Sequence, residues 1–193
     1  IVTGAAHGFG RAIALAFAAR GARVWACDLL ADEVAETAAR CQAAGGWCAA
    51  RTVDVTDRAA VFAFVREAEA AAVTGHVDIL VNNAGGVLGQ VGRPLEEVAP
   101  EDWAAILAVN LTAVFTFAQA VAPGMKAARA GRIINISSGA GLGPSLTGIQ
   151  AYAAAKAGQI NLTRQLCHEL GPFGVTVNNI APGFVRSNPN TER

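Results

Sequence analysis

Ile1-Val2-Thr3-Gly4-Ala5-Ala6-His7-Gly8-Phe9-Gly10 opens the chain. Behind it come the alanine-rich run Arg11 to Arg20, then Gly21, then Ala22-Arg23-Val24-Trp25-Ala26-Cys27-Asp28. Ile1-Val2-Thr3 is apolar and β-branched, the composition of a strand, and it runs directly into a glycine turn. The alanine-rich run has helical composition, and Gly21 stops it before the second β-forming stretch. Strand, glycine turn, helix and strand in this order make a βαβ unit, the crossover that joins parallel strands.

The alternation continues along the chain. Helix is expected from Ala31 to Ala44, strand from Trp47 to Val53, helix from Asp57 to Val73 and strand from Val77 to Val81. A long helix from Pro100 to about Ala128 follows, then a strand from Arg132 to Ile136, a glycine-rich loop, a helix over 151–171 and a strand from Val175 to Ile180. Six strands separated by helices predict an α/β fold, a Rossmann-like doubly wound parallel sheet in three α/β/α layers, with residues 1–193 as one domain.

Composition narrows the function. Hydrophobic residues are 53% and charged residues 16%, a balance that suits a sheet covered on both faces. Fifteen basic and fifteen acidic residues cancel, with no lysine or arginine run of the kind that follows nucleic acid or an anionic membrane, so a small molecule is the expected partner. Cys27, Cys41, Cys48 and Cys167 form no C-x-x-C pair, which suggests reduced thiols and a cytoplasmic location. His7, His76 and His168 have no ligand spacing, so no metal site is expected. Short apolar runs interrupted by charge argue against a membrane span.

Thr3 to Gly10 carries the chemistry of the first turn. Its G-x-x-x-G-x-G spacing lets the backbone turn sharply and approach a pyrophosphate, with helix N–H groups facing the anion. A plain strand-to-helix turn would use glycine too. Asp28 ends the second strand, where a carboxylate can accept from adenosine ribose hydroxyls and would repel a 2′-phosphate. Leu29 follows it rather than arginine, and the loop offers His7 rather than lysine or arginine, which favours NAD over NADP. Asp28 could equally be a helix cap or turn residue.

Tyr152 and Lys156 stand four apart on a helix and so share a face. An ammonium about 4 Å from a phenol at an effective dielectric of about 20 is worth roughly 4 kcal/mol. That would bring a phenol that titrates near ~10 towards ~7, fit for proton transfer. An ordinary amphipathic helix would place such a pair as well.

These motifs together resemble the classical short-chain dehydrogenase/reductase family. Thr3 to Gly10 is similar to its glycine motif, Asn82-Asn83-Ala84-Gly85 to its N-N-A-G, Tyr152 to Lys156 to its Y-x-x-x-K, and Pro182-Gly183 to its loop after the sixth strand. The resemblance covers essentially the whole chain in order. It implies that Tyr152 is the general acid or base and that Lys156 holds the nicotinamide ribose and lowers the phenol. It also implies that Ser138 steadies the substrate oxygen, with Ser137 as its competitor, and that Asn110 holds a water that relays protons to Lys156. Either serine could instead bond the local backbone at a strand end, and Asn110 could merely cap a kink.

For the cofactor, the resemblance implies contacts from Gly4, His7, Gly8, Phe9 and Gly10 in the first turn and from Asp28 and Leu29 at the adenosine ribose. Asp54 by side chain and Val55 by backbone would meet the adenine. Asn82, Ala84 and Gly85 would line the adenosine side, with Asn82 also able to brace neighbouring strands. Pro182, Gly183, Val185, Ser187, Tyr152 and Lys156 would surround the nicotinamide. Gly139, Leu142, Ile149 and Gln150 are one plausible substrate wall, although Gln150 could face solvent.

The expected function is an NAD-dependent oxidoreductase acting on a secondary alcohol or ketone. An NADPH-dependent 3-oxoacyl-thioester reductase is the enzymatic alternative, and a non-catalytic NAD-sensing or scaffold protein the alternative of another class. Family members continue into a lid, a further helix and a seventh strand. The chain therefore reads as a fragment, with its first strand also cut and the sheet truncated after the sixth. A homo-oligomer, dimer or tetramer, is expected through the helices of residues 100–128 and 151–171.

Overall fold

The computed structural model of this chain describes residues 1–185. Six parallel strands form one sheet in the order β3-β2-β1-β4-β5-β6. They are β1 (Val2–Thr3), β2 (Arg23–Asp28), β3 (Trp47–Thr52), β4 (Ile79–Asn82), β5 (Gly131–Ile136) and β6 (Val175–Ile180). The chain walks outward from β1 to β3, then returns to lay β4 on the other side of β1. The order reverses at the β1/β4 pair, where Val2 is in register with Val81. In an open α/β sheet, the crevice beyond the strands' carboxyl ends at such a reversal is where ligands bind.

Helices α1 (Gly8–Ala18) and α2 (Ala31–Ala43) pack on one face. Helices α3 (Arg58–Ala71), α5 (Ala113–Ala128) and α6 (Gln150–Leu170) pack on the other. The first face is filled by small side chains, Ala5, Ala14, Ala18 and Ala26 among them, so the helices lie close to the sheet. The second is filled by large ones, including Trp25, Phe64, Phe117, Leu80 and Ile133. Along β6, Val175 and Val177 are buried on the α5/α6 side while Thr176 and Asn178 on the opposite side are exposed. Over β6 the sheet is therefore covered on one face only among the described residues, not on both as the composition suggested.

Two boundaries differ informatively from the sequence expectation. Helix α1 begins at Gly8, so the glycine motif is not a loop before the helix but contains its first turn. The long helix runs from Pro100 to Ala128 as expected, but it does so as α4 (Pro100–Leu107), a π-helical turn over Ala108–Thr112 and α5. The 29 residues from Pro100 to Ala128 are also long and apolar enough to cross a membrane by length and composition, contrary to the expectation from charge spacing. In the fold this stretch supplies Phe117, Val121 and Met125 to the core between the sheet and α3.

Candidate functional site

The glycine turn owes its shape to atoms that are missing. Gly4 has a left-handed φ of 64°, and a Cβ there would lie 2.7 Å from the Ala84 Cα. A Cβ on Gly10 would run into the Gly4 carbonyl oxygen and come within 2.7 Å of the Asn83 Nδ2. The turn is thus pressed against the segment after β4 with no room for side chains between them. Thr3 and Asn83 clasp the two together. Thr3 Oγ1 accepts from the N–H groups of Asn83 and Ala84, each at 3.0 Å, while Asn83 Nδ2 donates to the carbonyls of Thr3 and Gly4, each at 3.0 Å. Neither side chain was expected to act, although both lie inside the motifs Thr3 to Gly10 and Asn82 to Gly85. Their hydrogen bonds hold the cradle together.

Asp28 belongs to the same clasp. Its Oδ2 accepts from the Ala6 N–H at 3.0 Å and its Oδ1 from the Leu30 N–H at 3.1 Å. The turn-residue reading therefore holds geometrically. Each oxygen keeps a lone pair, so ribose hydroxyls could still bind at this strand end. Leu29 beside it is 60% exposed, and the His7 side chain is exposed at the start of α1 without capping it. Asp54 Oδ1 accepts from the N–H and hydroxyl of Thr56 at 2.8 and 2.6 Å, which turns the expected adenine contact back on its own loop. Val55 buries its side chain in the core. Asn82 donates to Asn135 Oδ1 at 2.9 Å across β4 and β5, the bracing role.

The four expected catalytic residues come from three elements and meet at the carboxyl ends of β4 and β5. Lys156 is 3% exposed; its Nζ donates to the Ile136 carbonyl at 2.9 Å and to Gln159 Oε1 at 3.2 Å. It also lies 5.5 Å from the centre of the Tyr152 ring. Asn110, in the π turn, donates to the carbonyls of Gly86 at 2.8 Å and Ile106 at 3.0 Å and accepts from the Gly86 N–H at 3.0 Å. Gly85, exposed between the two, shows how closely they converge. A Cβ there would sit 2.5 Å from Asn110 Oδ1 and 3.3 Å from Lys156 Nζ. Both Asn110 amide hydrogens are spent on backbone, so its side chain braces the π turn and the segment after β4. Only an oxygen is left to hold a water.

The two serines separate. Ser137 is buried, donates to the Ile180 carbonyl at 3.2 Å and accepts from Asn179 Nδ2 at 2.8 Å, so its hydroxyl stitches β5 to β6. Ser138 caps the short turn Gly139–Gly141 by accepting from the Ala140 N–H at 3.2 Å, and its hydroxyl acts on the Tyr152 phenol. The Gly139 N–H donates to the Pro182 carbonyl at 2.8 Å, which brings the loop with Gly183 and Val185 over this turn. Ser187 lies outside the described residues. Gln150 does not stand free in the substrate wall. Its Nε2 donates to the Arg93 carbonyl at 2.9 Å, beside the Gly92 N–H to Thr147 carbonyl bond at 2.8 Å, so it ties two loops together. Leu142 is exposed and Ile149 half-buried in the same loop.

The electrostatics overturn one expectation. Burial pushes the Tyr152 phenol above its ordinary value, and the Ser138 hydroxyl only partly pulls it back. Burial also brings Lys156 down from 10.5 to about 8. The same desolvation that strengthens a charge pair penalises the ammonium itself, and this Lys156 directs two of its N–H groups to neutral oxygens rather than to the phenol oxygen. The helical spacing brought the pair to one face without bringing the two polar ends together. Among the described residues no group of three His, Cys, Asp or Glu side chains gathers. A cavity lined by Phe17, Trp25, Val73, His76 and Val77 lies at the opposite end of the sheet.

Comparison with known proteins bears on this geometry. The chain is 40% identical over 192 residues to the 3-oxoacyl-[acyl-carrier-protein] reductase FabG of Escherichia coli, covering 97% of this chain and 73% of that one. A metagenomic short-chain oxidoreductase solved in complex with NADP is 40% identical with a TM-score of 0.87, over 94% of this chain and 80% of that one. NAD+-bound xylitol dehydrogenase is 30% identical with a TM-score of 0.91, over 100% of this chain and 72% of that one. The family described as short chain dehydrogenase matches residues 1–193. A doubly wound sheet with a glycine cradle at its reversal and a Tyr-Lys helix beside it thus places the chain in the short chain dehydrogenase family of oxidoreductases.

Proposed function

We propose that the protein is an NAD-dependent oxidoreductase acting on a secondary alcohol or the corresponding ketone. The observation that carries this reading is the convergence of Asn110, Ser138, Tyr152 and Lys156 next to a cradle that has no room for side chains. The cradle fits a dinucleotide. Gly4 and Gly10 leave backbone N–H groups open at the start of α1, and Lys156 keeps one donor beyond the two it spends. A nicotinamide bound there would supply or receive the hydride. The Tyr152 hydroxyl, protonated at neutral pH, gives its proton to the substrate oxygen in reduction and takes one in oxidation. Ser138 donates a hydrogen bond to the same oxygen as charge develops. Lys156 clamps the ribose, and an Asn110 oxygen with Lys156 leads protons to solvent.

Asp28 supports NAD, because a carboxylate fixed on Ala6 and Leu30 would face a 2′-phosphate with no arginine or lysine in Gly4–Gly10 or at residue 29. Similarity to a 3-oxoacyl-carrier reductase favours a second reading, an NADPH-dependent reductase of 3-oxoacyl thioesters. A homo-oligomer joined through the helices of residues 100–128 and 151–171 accompanies either reading, supported by the exposed Phe115 on that face. The test is turnover of the whole protein with a panel of alcohols, ketones and 3-oxoacyl thioesters, supplied with NAD(H) or NADP(H). Tyr152→Phe is expected to abolish turnover while NADH still binds, and full activity in that variant would overturn the assignment.

A further inference from the structure

Gln159, three residues after Lys156 on α6, is 1% exposed, on a face where an amphipathic helix ordinarily carries apolar side chains. Its Oε1 accepts from Lys156 Nζ, while its Nε2 is buried and meets no acceptor among the described residues. The ammonium is therefore the one polar group that the amide engages, at the cost of an unsatisfied donor. The helix turn beneath is held in place. Thr163 Oγ1 donates to the Gln159 carbonyl and accepts from Asn135 Nδ2, each at 2.9 Å, and Asn135 accepts from Asn82. A buried polar line thus runs from β4 through β5 and α6 to Lys156.

A protonated lysine has three N–H groups. Ile136 O and Gln159 Oε1 take two of them, which leaves one. Resting on the function proposed above, we propose that Gln159 is a positioning residue for Lys156. Its carbonyl favours the charged amine and, with the Ile136 carbonyl, leaves the remaining N–H for a dinucleotide ribose. The Tyr152 phenol is the titratable group that faces this ammonium. Glu101 and Asp102 on α4, Lys126 on α5, Arg132 on β5 and the helix's own Arg164, His168 and Glu169 do not bear on it, since burial alone lowers its value. An added or removed acceptor at residue 159 should therefore register directly.

Carbon-13 labelling at lysine Cε gives one signal for each lysine, and the signal missing from Lys156→Arg is that of Lys156. The Lys156 signal should titrate near 8 in the unaltered protein. In Gln159→Leu the midpoint should fall by about one pH unit, the scale of a lost hydrogen bond to a charged group. In Gln159→Glu, equal in size, it should rise. NADH affinity, read from protein fluorescence, should weaken about tenfold in Gln159→Leu. A Lys156 midpoint unmoved in both variants overturns the proposal, and so does an unchanged NADH dissociation constant in Gln159→Leu. Should the leucine variant not fold, an unmoved midpoint in the glutamate variant is sufficient to overturn it. The lysine titration requires no turnover, so this inference and the catalytic reading, tested by Tyr152→Phe, fail separately.

Discussion

The glycine turn after β1 and the Tyr152/Lys156 helix lie on opposite sides of the segment after β4, and they are built on opposite principles. The turn is formed by leaving atoms out. Gly4 and Gly10 let two backbone segments touch, and the Thr3/Asn83 clasp then holds the contact. The helix site is formed by burying polar atoms in the interior, where Asn82, Asn135, Thr163, Gln159 and Lys156 hand hydrogen bonds from one to the next. A cradle of this kind is damaged by adding a methyl group, whereas the proposed proton-transfer site is damaged by removing one functional group.

Removal at the proton site should have the largest effect. Tyr152→Phe deletes only the hydroxyl, so kcat should drop about 10²- to 10⁴-fold with dinucleotide affinity nearly unchanged, as steady-state rates and fluorescence titration would show. Affinity falling as far as the rate would mean that the phenol belongs to the binding surface instead.

Lys156→Met should alter how stability depends on pH. Lysine titrates at 10.5 in the unfolded chain and at about 8 in the folded one, so between those values the unfolded chain holds more protons. The unaltered protein therefore gains stability relative to the methionine variant as the pH rises through that window, by about 3 kcal/mol in all. Below it, the buried charge is a constant burden. Denaturant unfolding of both proteins at pH 7, 8, 9 and 10 measures the difference. Comparing the two cancels the buried thiols, whose raised values lower stability above pH 9 in both. A difference that does not change with pH would mean that Lys156 is not charged and buried in the free protein.

Adding one carbon should suffice to damage the cradle. Gly10→Ala places a Cβ against the Gly4 carbonyl, so unfolding free energy should fall by about 1–3 kcal/mol, with dinucleotide binding weakened alongside. Unchanged stability and binding would show that the two segments can part. The smallest expected effect is at Asp28→Ala. It should reduce the preference for NADH over NADPH, with kcat/KM measured for each, while the lost bonds to Ala6 and Leu30 cost about 1 kcal/mol of stability. An unaltered preference would remove Asp28 from cofactor choice.

Much of this was legible in the chain itself. The alternation of β-branched runs with alanine-rich runs anticipates all six strands, and β6 falls where expected, because such patterns are local. The glycine spacing, Asn82 to Gly85 and the Tyr152/Lys156 spacing likewise mark the site. The π turn at Ala108–Thr112 was only partly legible. Asn110 amid apolar neighbours allowed a kink, but the turn is stabilised by bonds from Asn110 to Gly86, twenty-four residues away. Between Ser137 and Ser138 the family resemblance pointed to Ser138, whereas composition alone did not separate them, since the difference depends on which hydroxyl meets β6. Gln159 carried a faint signal, a polar residue one turn from Lys156, but its meaning depends on its burial.

What the sequence determined by itself is the order of elements, the position of the cradle and the Tyr152/Lys156 pair, because these follow from local composition and short spacings, whereas Asn110 and Ser138 were implied by the family resemblance. What only the tertiary structure decided is how those groups are charged and aimed. Tyr152 and Lys156 share a helix face by spacing alone, yet burial raises the phenol and lowers the amine, and Ile136 and Gln159 turn the amine away from the ring's polar end. Spacing along one helix sets which side chains are neighbours, whereas desolvation and hydrogen bonding depend on everything packed around them.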